Sequence, residues 1–454
     1  MVTAGRVLCL GYFDHPPASW WLSWGAAHLF GTEAPWAVRL PFILLFAVSQ
    51  GLMWRIACLV ADRRAAFWAV VALNLSPVFG VTTGSWVLPD GPLDAALLGA
   101  ALCLLHALSA AGRKALWWWS AAGVCAGLAL FSKYSAVLTI GGAVLYVLSS
   151  RQHRRWLVRP EPYVAAVLAL AVFSPVLLWN ASHGWASFVF QGDRAAGLRF
   201  QPLKPFQVLG GEALFVLPWI WLPMMIVFVR GFRGAWAERL LVWLAAPPIV
   251  VFALISAWSS QRVLFHWAAP GYLMLFPLLG REIADRVGIV WVRRVMAGSV
   301  ALVLAAVLVI AAQVQFDWFG GALAGVMRSD PSAEGVDWTS LREDLGGRGL
   351  LPPGAVVAAL NWRDAGKIGR GLGPEVTTLC LSADSRQFGF GNPPNAWVGR
   401  DMLVLVIGPT EKSVADARPW FQTVDVLPET AVRINGRVLR TVTVLRGRGL
   451  VVRR

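Results

Sequence analysis

A handful of polar blocks interrupt an otherwise apolar chain, and each carries a group able to do acid–base or ionic chemistry. Asp14 and His15 stand in Gly11-Tyr12-Phe13-Asp14-His15-Pro16-Pro17, Asp90 in Leu88-Pro89-Asp90-Gly91-Pro92, and Lys133 in Phe131-Ser132-Lys133-Tyr134. His183 precedes Gly184-Trp185, and Arg262 and His266 lie within Ser259–Trp267. A carboxylate in such a position can accept a proton, and an ionisable group flanked by apolar spans is a functional candidate by default. The two prolines after His15 fix φ and push the preceding residue into extended backbone, so Asp14 and His15 occupy a stiff, non-helical ledge. Cys9, Cys58, Cys103, Cys125 and Cys380 are scattered, with neither a disulfide framework nor a metal-ligand spacing.

Every candidate has a purely structural alternative. Asp90, just before Gly91-Pro92, is placed to cap a helix. Asp14 can stabilise a turn, and Lys133 can snorkel from a short helix pair. Arg262 and His266 can anchor a span at the headgroups, and His183 beside a tryptophan suits an interfacial structural role. What favours function is that all seven fall on one set of alternate loops.

The elements that must hold those loops are membrane spans. Of the 454 residues, 57% are hydrophobic and 14% charged, with 25 Trp and a mean hydropathy of +0.60; that balance excludes an ordinary soluble domain. The net charge of +15 comes from Lys and Arg clusters between apolar runs, where they set topology and meet anionic lipid, so nucleic acid is not an expected partner. Apolar stretches run through Trp36–Val60, Ala65–Thr83, Pro92–Ala111, Ala115–Phe131, Ser135–Leu148, Tyr163–Trp179, Gln207–Val229, Arg239–Ala257, Leu264–Leu279 and Ile289–Gln313, about ten spans in all. Trp20, Trp21, Trp24, Ala27 and His28 recur at helical spacing, the pattern of an interfacial amphipathic helix.

The basic clusters Arg63/Arg64, Arg113/Lys114, Arg151/Arg154/Arg155/Arg159, Arg230/Arg233 and Arg281/Arg286/Arg293/Arg294 occupy alternate loops, which assigns them to the cytoplasmic side. The candidate residues then face outward. After Gln313 the composition shifts to Gly, Asp and Arg, with β-branched runs at Ala355–Leu360, Val376–Leu381 and Met402–Ile407 separated by Gly/Pro turns. The expectation is an all-α polytopic membrane protein with a small α/β C-terminal domain outside the cytoplasm, divided as a first-loop segment 1–35, a membrane domain 36–313 and the outer domain 314–454.

Taken together, the ledge, Val38-Arg39-Leu40-Pro41, Leu88–Pro92, Phe131–Tyr134, Ser174–Asn180 with His183-Gly184-Trp185, and His266-Trp267 form a set that resembles the C-type membrane glycosyltransferases. The resemblance is to the superfamily of protein mannosyltransferases, aminoarabinose transferases and rhizobial galacturonosyltransferase-like enzymes, and it covers about residues 8 to 313. It implies transfer of a sugar from a polyprenyl-phosphate donor to an acceptor hydroxyl, with inversion, at the outer face of a bacterial inner membrane. The acceptor is a lipid, a glycan or a protein, and membrane lipids surround the chain. On that reading Asp14 and Asp90 are the catalytic carboxylates, and Lys133, Arg262, His15, His266 and His183 bind substrate. No cofactor is certain, though a divalent metal ion is compatible with the chemistry.

Relatives of this kind carry a first helix and an Asp-Glu pair before the block matched by Gly11–Pro17, whereas Met1–Leu10 contain no acid. The expectation is a chain that starts late and is impaired as written. The aminoarabinose transferases also place a lysine where His15 stands. Two other classes therefore stay open: a catalytically impaired relative that binds lipid-linked sugar, and a transporter or flippase, against which the scarcity of mid-span charge argues.

Overall fold

The computed structural model describes residues 1–195, 200–259, 263–319, 335, 337–434 and 436–451. They form two compact units: the larger holds Cys9–Ala26 and Pro35–Ala301, the smaller Met1–Leu8, Ala27–Ala34 and Leu302–Arg454.

The larger unit is helical: α1 (Ala18–Phe30), α2 (Pro35–Val60), α3 (Arg63–Leu75), α4 (Asp90–Ser109), α5 (Gly112–Ser132), α6 (Ala136–Ser149), α7 (Glu161–Ser182), α8 (Ala186–Ala195), α9 (Lys204–Val216), α10 (Pro218–Gly231), α11 (Trp236–Ser256), α12 (Ala269–Leu273), α13 (Phe276–Arg286) and α14 (Val290–Phe316), which runs on past Ala301. Among the described residues six of these, α2, α4, α5, α7, α11 and α14, are long and apolar enough to cross a membrane, and each covers an expected span. The other expected spans are interrupted or short. Gln207–Val229 is bent by 112° between α9 and α10, at Leu217 with φ 77° just before Pro218. Leu264–Leu279 is cut into α12 and α13, where Pro270 and Pro277 start new helical turns. Ala65–Thr83 stops as α3 at Leu75, and Ser76-Pro77 leads into a short π-helical stretch, Val78–Thr83. α6 has 14 residues, short of the ~20 a bilayer core demands.

Small residues let the central helices approach closely. A Cβ on Gly123 of α5 would lie 2.3 Å from the Ala165 carbonyl oxygen of α7, and one on Gly127 2.8 Å from that of Ala169. The Gly123-x-x-x-Gly127 spacing thus sets backbone against backbone, a common device where lipid offers no hydrophobic drive for helix association.

The helix expected at the interface forms, but α1 is not amphipathic in the expected sense. Trp20 is buried and stacks on Tyr12 at 4.5 Å, while Trp21 meets Phe131 edge-on at 5.1 Å. Adjacent residues point about 100° apart on a helix, so these tryptophans pack against two different neighbours instead of forming one lipid-facing stripe.

In the smaller unit a five-stranded sheet runs in the order β2-β1-β3-β5-β4, with β1 (Val356–Ala359), β2 (Thr377–Cys380), β3 (Met402–Val406), β4 (Phe421–Ile434) and β5 (Arg437–Leu450). β1 pairs parallel with β2 and β3, and β5 antiparallel with β3 and β4. The three β-branched runs are the three parallel strands, and the long β4–β5 hairpin was not anticipated. The β1–β2 crossover is the helix Trp362–Leu372, capped by Asn361 accepting from the Asp364 amide at 2.9 Å. The N-terminal residues join this unit: the Thr3 hydroxyl donates to the Gly366 carbonyl at 2.8 Å, and Arg6 pairs with Glu33 at 2.7 Å and donates to the Gly369 carbonyl at 2.8 Å. Residues 1–8 and the sheet must therefore lie on the same side of the membrane.

Candidate active site

The ledge is held from several directions. Gly11 sits against Trp179, where any Cβ would fall 2.8 Å from that side chain. The Trp21 indole donates to the Cys9 carbonyl at 2.8 Å, and the Tyr12 hydroxyl accepts from the Cys9 amide at 3.1 Å. Burial pushes the Tyr12 phenol up to about 12, so it stays neutral in this role. Phe13 packs on Phe190 at 4.8 Å, and Gln191 of α8 donates to the Asp14 carbonyl at 2.7 Å. With the backbone so tied, one carboxylate oxygen of Asp14, Oδ1, is buried without a hydrogen-bond partner. An acceptor left unmet at such depth is costly unless something else fills the role.

Asp90 and Lys133 meet. Asp90 opens α4, and Lys133 follows the last turn of α5 with extended backbone (φ −156°, ψ 134°). The Lys133 ammonium donates to Asp90 Oδ1 at 2.8 Å, with the side chains 11% and 4% exposed. Asp90 therefore does not cap its helix. The imidazoles of His15 and His266 also lie within electrostatic reach of its carboxylate. Four of the seven expected residues, Asp90, Lys133, His15 and His266, thus form one charged group.

Asp14 lies within electrostatic reach of Tyr134, the residue after Lys133, whose hydroxyl shares a 2.5 Å hydrogen bond with Ser187. Asn180 accepts from the Ser187 amide at 3.1 Å. Phe131, Phe173 and Val176 make the apolar cluster beneath, joined by Trp21, Tyr134 and Phe188. His183 is tied elsewhere: it stacks on Trp179 at 4.3 Å, and its Nδ1 lies 2.8 Å from the Trp179 carbonyl and 2.9 Å from the Ser182 hydroxyl. Arg262 lies outside the described residues.

Sequence reasoning passed over Asp94. It is one helical turn beyond Asp90, 4% exposed, and neither carboxylate oxygen has a hydrogen-bond partner among the described residues. Thr83 and Lys133 are its polar neighbours, with Asp90. The signal was available, since positions i and i+4 share a helix face. Glu212 of α9 was also missed; it is buried, with Oε2 accepting from the Tyr272 hydroxyl at 2.5 Å and Oε1 unmet.

No group of three or more His, Cys, Asp or Glu among the described residues is arranged to hold an ion, and Asp90 is already engaged by the Lys133 ammonium.

Known proteins share this arrangement of helices and sheet. ArnT from Cupriavidus metallidurans, in the apo state, superposes with a TM-score of 0.64 at 16% identity, over 96% of this chain and 88% of that one. The same protein bound to undecaprenyl phosphate gives 0.66 over the same shares. Archaeal oligosaccharyltransferase AglB from Archaeoglobus fulgidus, in complex with an inhibitory peptide and a dolichol-phosphate, gives 0.50 at 12% identity, over 91% of this chain and 65% of that one. Residues 14–179 match the dolichyl-phosphate-mannose-protein mannosyltransferase family. The chain thus shares the fold of ArnT over most of both chains. A comparison with curated protein sequences gives no match. The stretch in common with the mannosyltransferase family runs from Asp14 to Trp179 and so contains Asp14–Pro17, Asp90, Asp94 and Lys133.

Proposed function

We propose that this chain is a C-type membrane glycosyltransferase that moves a sugar from a polyprenyl-phosphate donor to a hydroxyl acceptor, with inversion, at the outer face of a bacterial cytoplasmic membrane. The observation that carries the reading is the buried Asp90–Lys133 pair with His15 and His266 around it, close in the chain to an acid whose carboxylate is partly unmet. That ArnT binds undecaprenyl phosphate and AglB a dolichol-phosphate supports a lipid-linked donor here.

In this mechanism Asp90 positions Lys133. One ammonium hydrogen goes to Asp90 and the other two remain for the donor phosphate, whose negative charge grows as the bond to the sugar breaks. The acceptor oxygen attacks the anomeric carbon from the face opposite the phosphate. The carbon–oxygen bond to phosphate breaks, with its electron pair leaving on that oxygen, and Asp14 takes the acceptor proton. Products are the inverted glycoside and polyprenyl phosphate. His15 and His266 place two imidazoles near the leaving group.

The test is transfer of radiolabelled sugar from a polyprenyl-phosphate donor in proteoliposomes. Asp14→Asn is expected to lower the rate by about 10²–10⁴-fold while donor affinity is kept. An unchanged rate in that variant, with loss confined to Asp94→Asn, moves the base to Asp94; no transfer to lipid, glycan or peptide acceptors despite donor binding supports the impaired relative instead.

A further inference from the structure

A cavity of about 200 Å³ lies between α4, α5, α6, α7 and α11, lined along α4 from Leu97, seven residues from Asp90, to Leu108. Leu104, one of its walls, lies 14 residues along α4 from Asp90, about 21 Å at the helical rise. The lining is apolar apart from Trp119 and Thr139, and both have a buried polar atom with no hydrogen-bond partner among the described residues.

The surroundings of its lower end are rich in donors and positive charge. Trp119 packs on Trp156 with ring centres 5.6 Å apart, and the guanidinium groups of Arg155 and Arg159 lie 6.0 and 5.3 Å from the Trp156 ring centre. Leu157, next to Trp156, lines the cavity, as does Leu240, next to Arg239. Trp156 Nε1 and Arg239 Nε are buried donors with no acceptor. Arg155 and Arg239 both act on His153, which together with burial pushes its imidazole down. Glu161, the nearby acid, is engaged by Arg159 at 3.7 Å. Unmet N–H groups are costly at membrane depth, and here they gather beside excess positive charge and an empty apolar volume.

We propose that this end of the bundle binds an anionic phospholipid of the membrane, with one acyl chain in the cavity and the phosphodiester on Arg155 and Arg239. An amphiphile answers both features at once: its chain fills the volume, and its phosphate and ester oxygens are the acceptors that the indole and guanidinium donors lack. The headgroup end, at Arg155 and Arg239, shares no residue with the Asp90–Lys133 group, so the proposal stands whether or not sugar transfer does.

Native mass spectrometry of the purified chain tests it, using phosphatidylglycerol and phosphatidylcholine with identical acyl chains. Phosphatidylglycerol is expected to be retained in preference to phosphatidylcholine. Arg155→Gln with Arg239→Gln is expected to weaken that preference by about fivefold per charge, while Ala143→Phe, which fills the cavity, is expected to abolish retention of both. Equal retention of the two lipids by the wild-type chain overturns the anionic site, and retention unaffected by Ala143→Phe overturns the cavity as the chain's seat. Should Ala143→Phe fail to fold, the arginine pair decides alone: an unchanged lipid preference there refutes the proposal.

Discussion

Lys133→Met is the most informative single perturbation of the charged group. At 2.8 Å the pair's attraction is about 6 kcal/mol with an effective dielectric constant of about 20. Desolvating the two ions offsets most of that, so the pair's net contribution to stability is small. Removing one partner is another matter, because it leaves a buried charge uncompensated, at about 3–5 kcal/mol. The two single variants should differ. In Lys133→Met, Asp90 and Asp94 face each other one turn apart with no lysine between them, so its cost falls toward 5 kcal/mol. In Asp90→Asn, Lys133 keeps the Asp94 carboxyl as a neighbour, and the cost falls toward 3 kcal/mol. The double variant carries no unpaired ion from this pair and should lose far less than the roughly 8 kcal/mol sum of the singles, close to the small net contribution of the pair. The assay is reversible unfolding in mixed micelles, run on all four forms at one detergent composition. Additive effects refute the coupling, and a Lys133→Met chain as stable as wild type refutes the burial argument. A consequence for enzymology is that Lys133→Ala is not a clean probe of donor binding; Asp90→Asn with Lys133→Met is the better control.

Three further outcomes are expected. Gly123→Leu drives a branched side chain into the α7 backbone and should destabilise the larger unit by about 1–3 kcal/mol, the usual cost of overpacking, whereas Gly25→Ala, with open space around it, should be tolerated; equal effects of the two in a thermal unfolding series count against the close α5–α7 contact. The Cys380 thiol, buried in β2 and pushed up to about 12 by burial, should have about one molecule in ten thousand ionised at pH 8 and ignore thiol reagents until the smaller unit unfolds; rapid native labelling would contradict that. A membrane-impermeant maleimide should modify Lys412→Cys in intact cells and Lys114→Cys only after lysis, and the reverse pattern would put the candidate site in the cytoplasm.

Much of this protein is written locally along the chain. Whether a stretch can cross a bilayer depends on a sum over about 20 neighbouring residues, which is why α2, α4, α5, α7, α11 and α14 fall where the apolar runs do. Strand propensity is likewise local, and the runs beginning near Ala355, Val376 and Met402 became β1, β2 and β3. The acids and cations were legible as types because charge is rare in such a sequence. Their partnerships were not. Asp90 and Lys133 are 43 residues apart, and nothing in either neighbourhood says that the start of α4 and the end of α5 come together; the packing of those two helices decides it. Asp94 was overlooked for a related reason: its spacing puts it on the same helix face as Asp90, but only the tertiary structure buries it. The docking of Thr3 and Arg6 onto Gly366 and Gly369 likewise follows from contacts between distant segments, whose energies no local window of sequence contains.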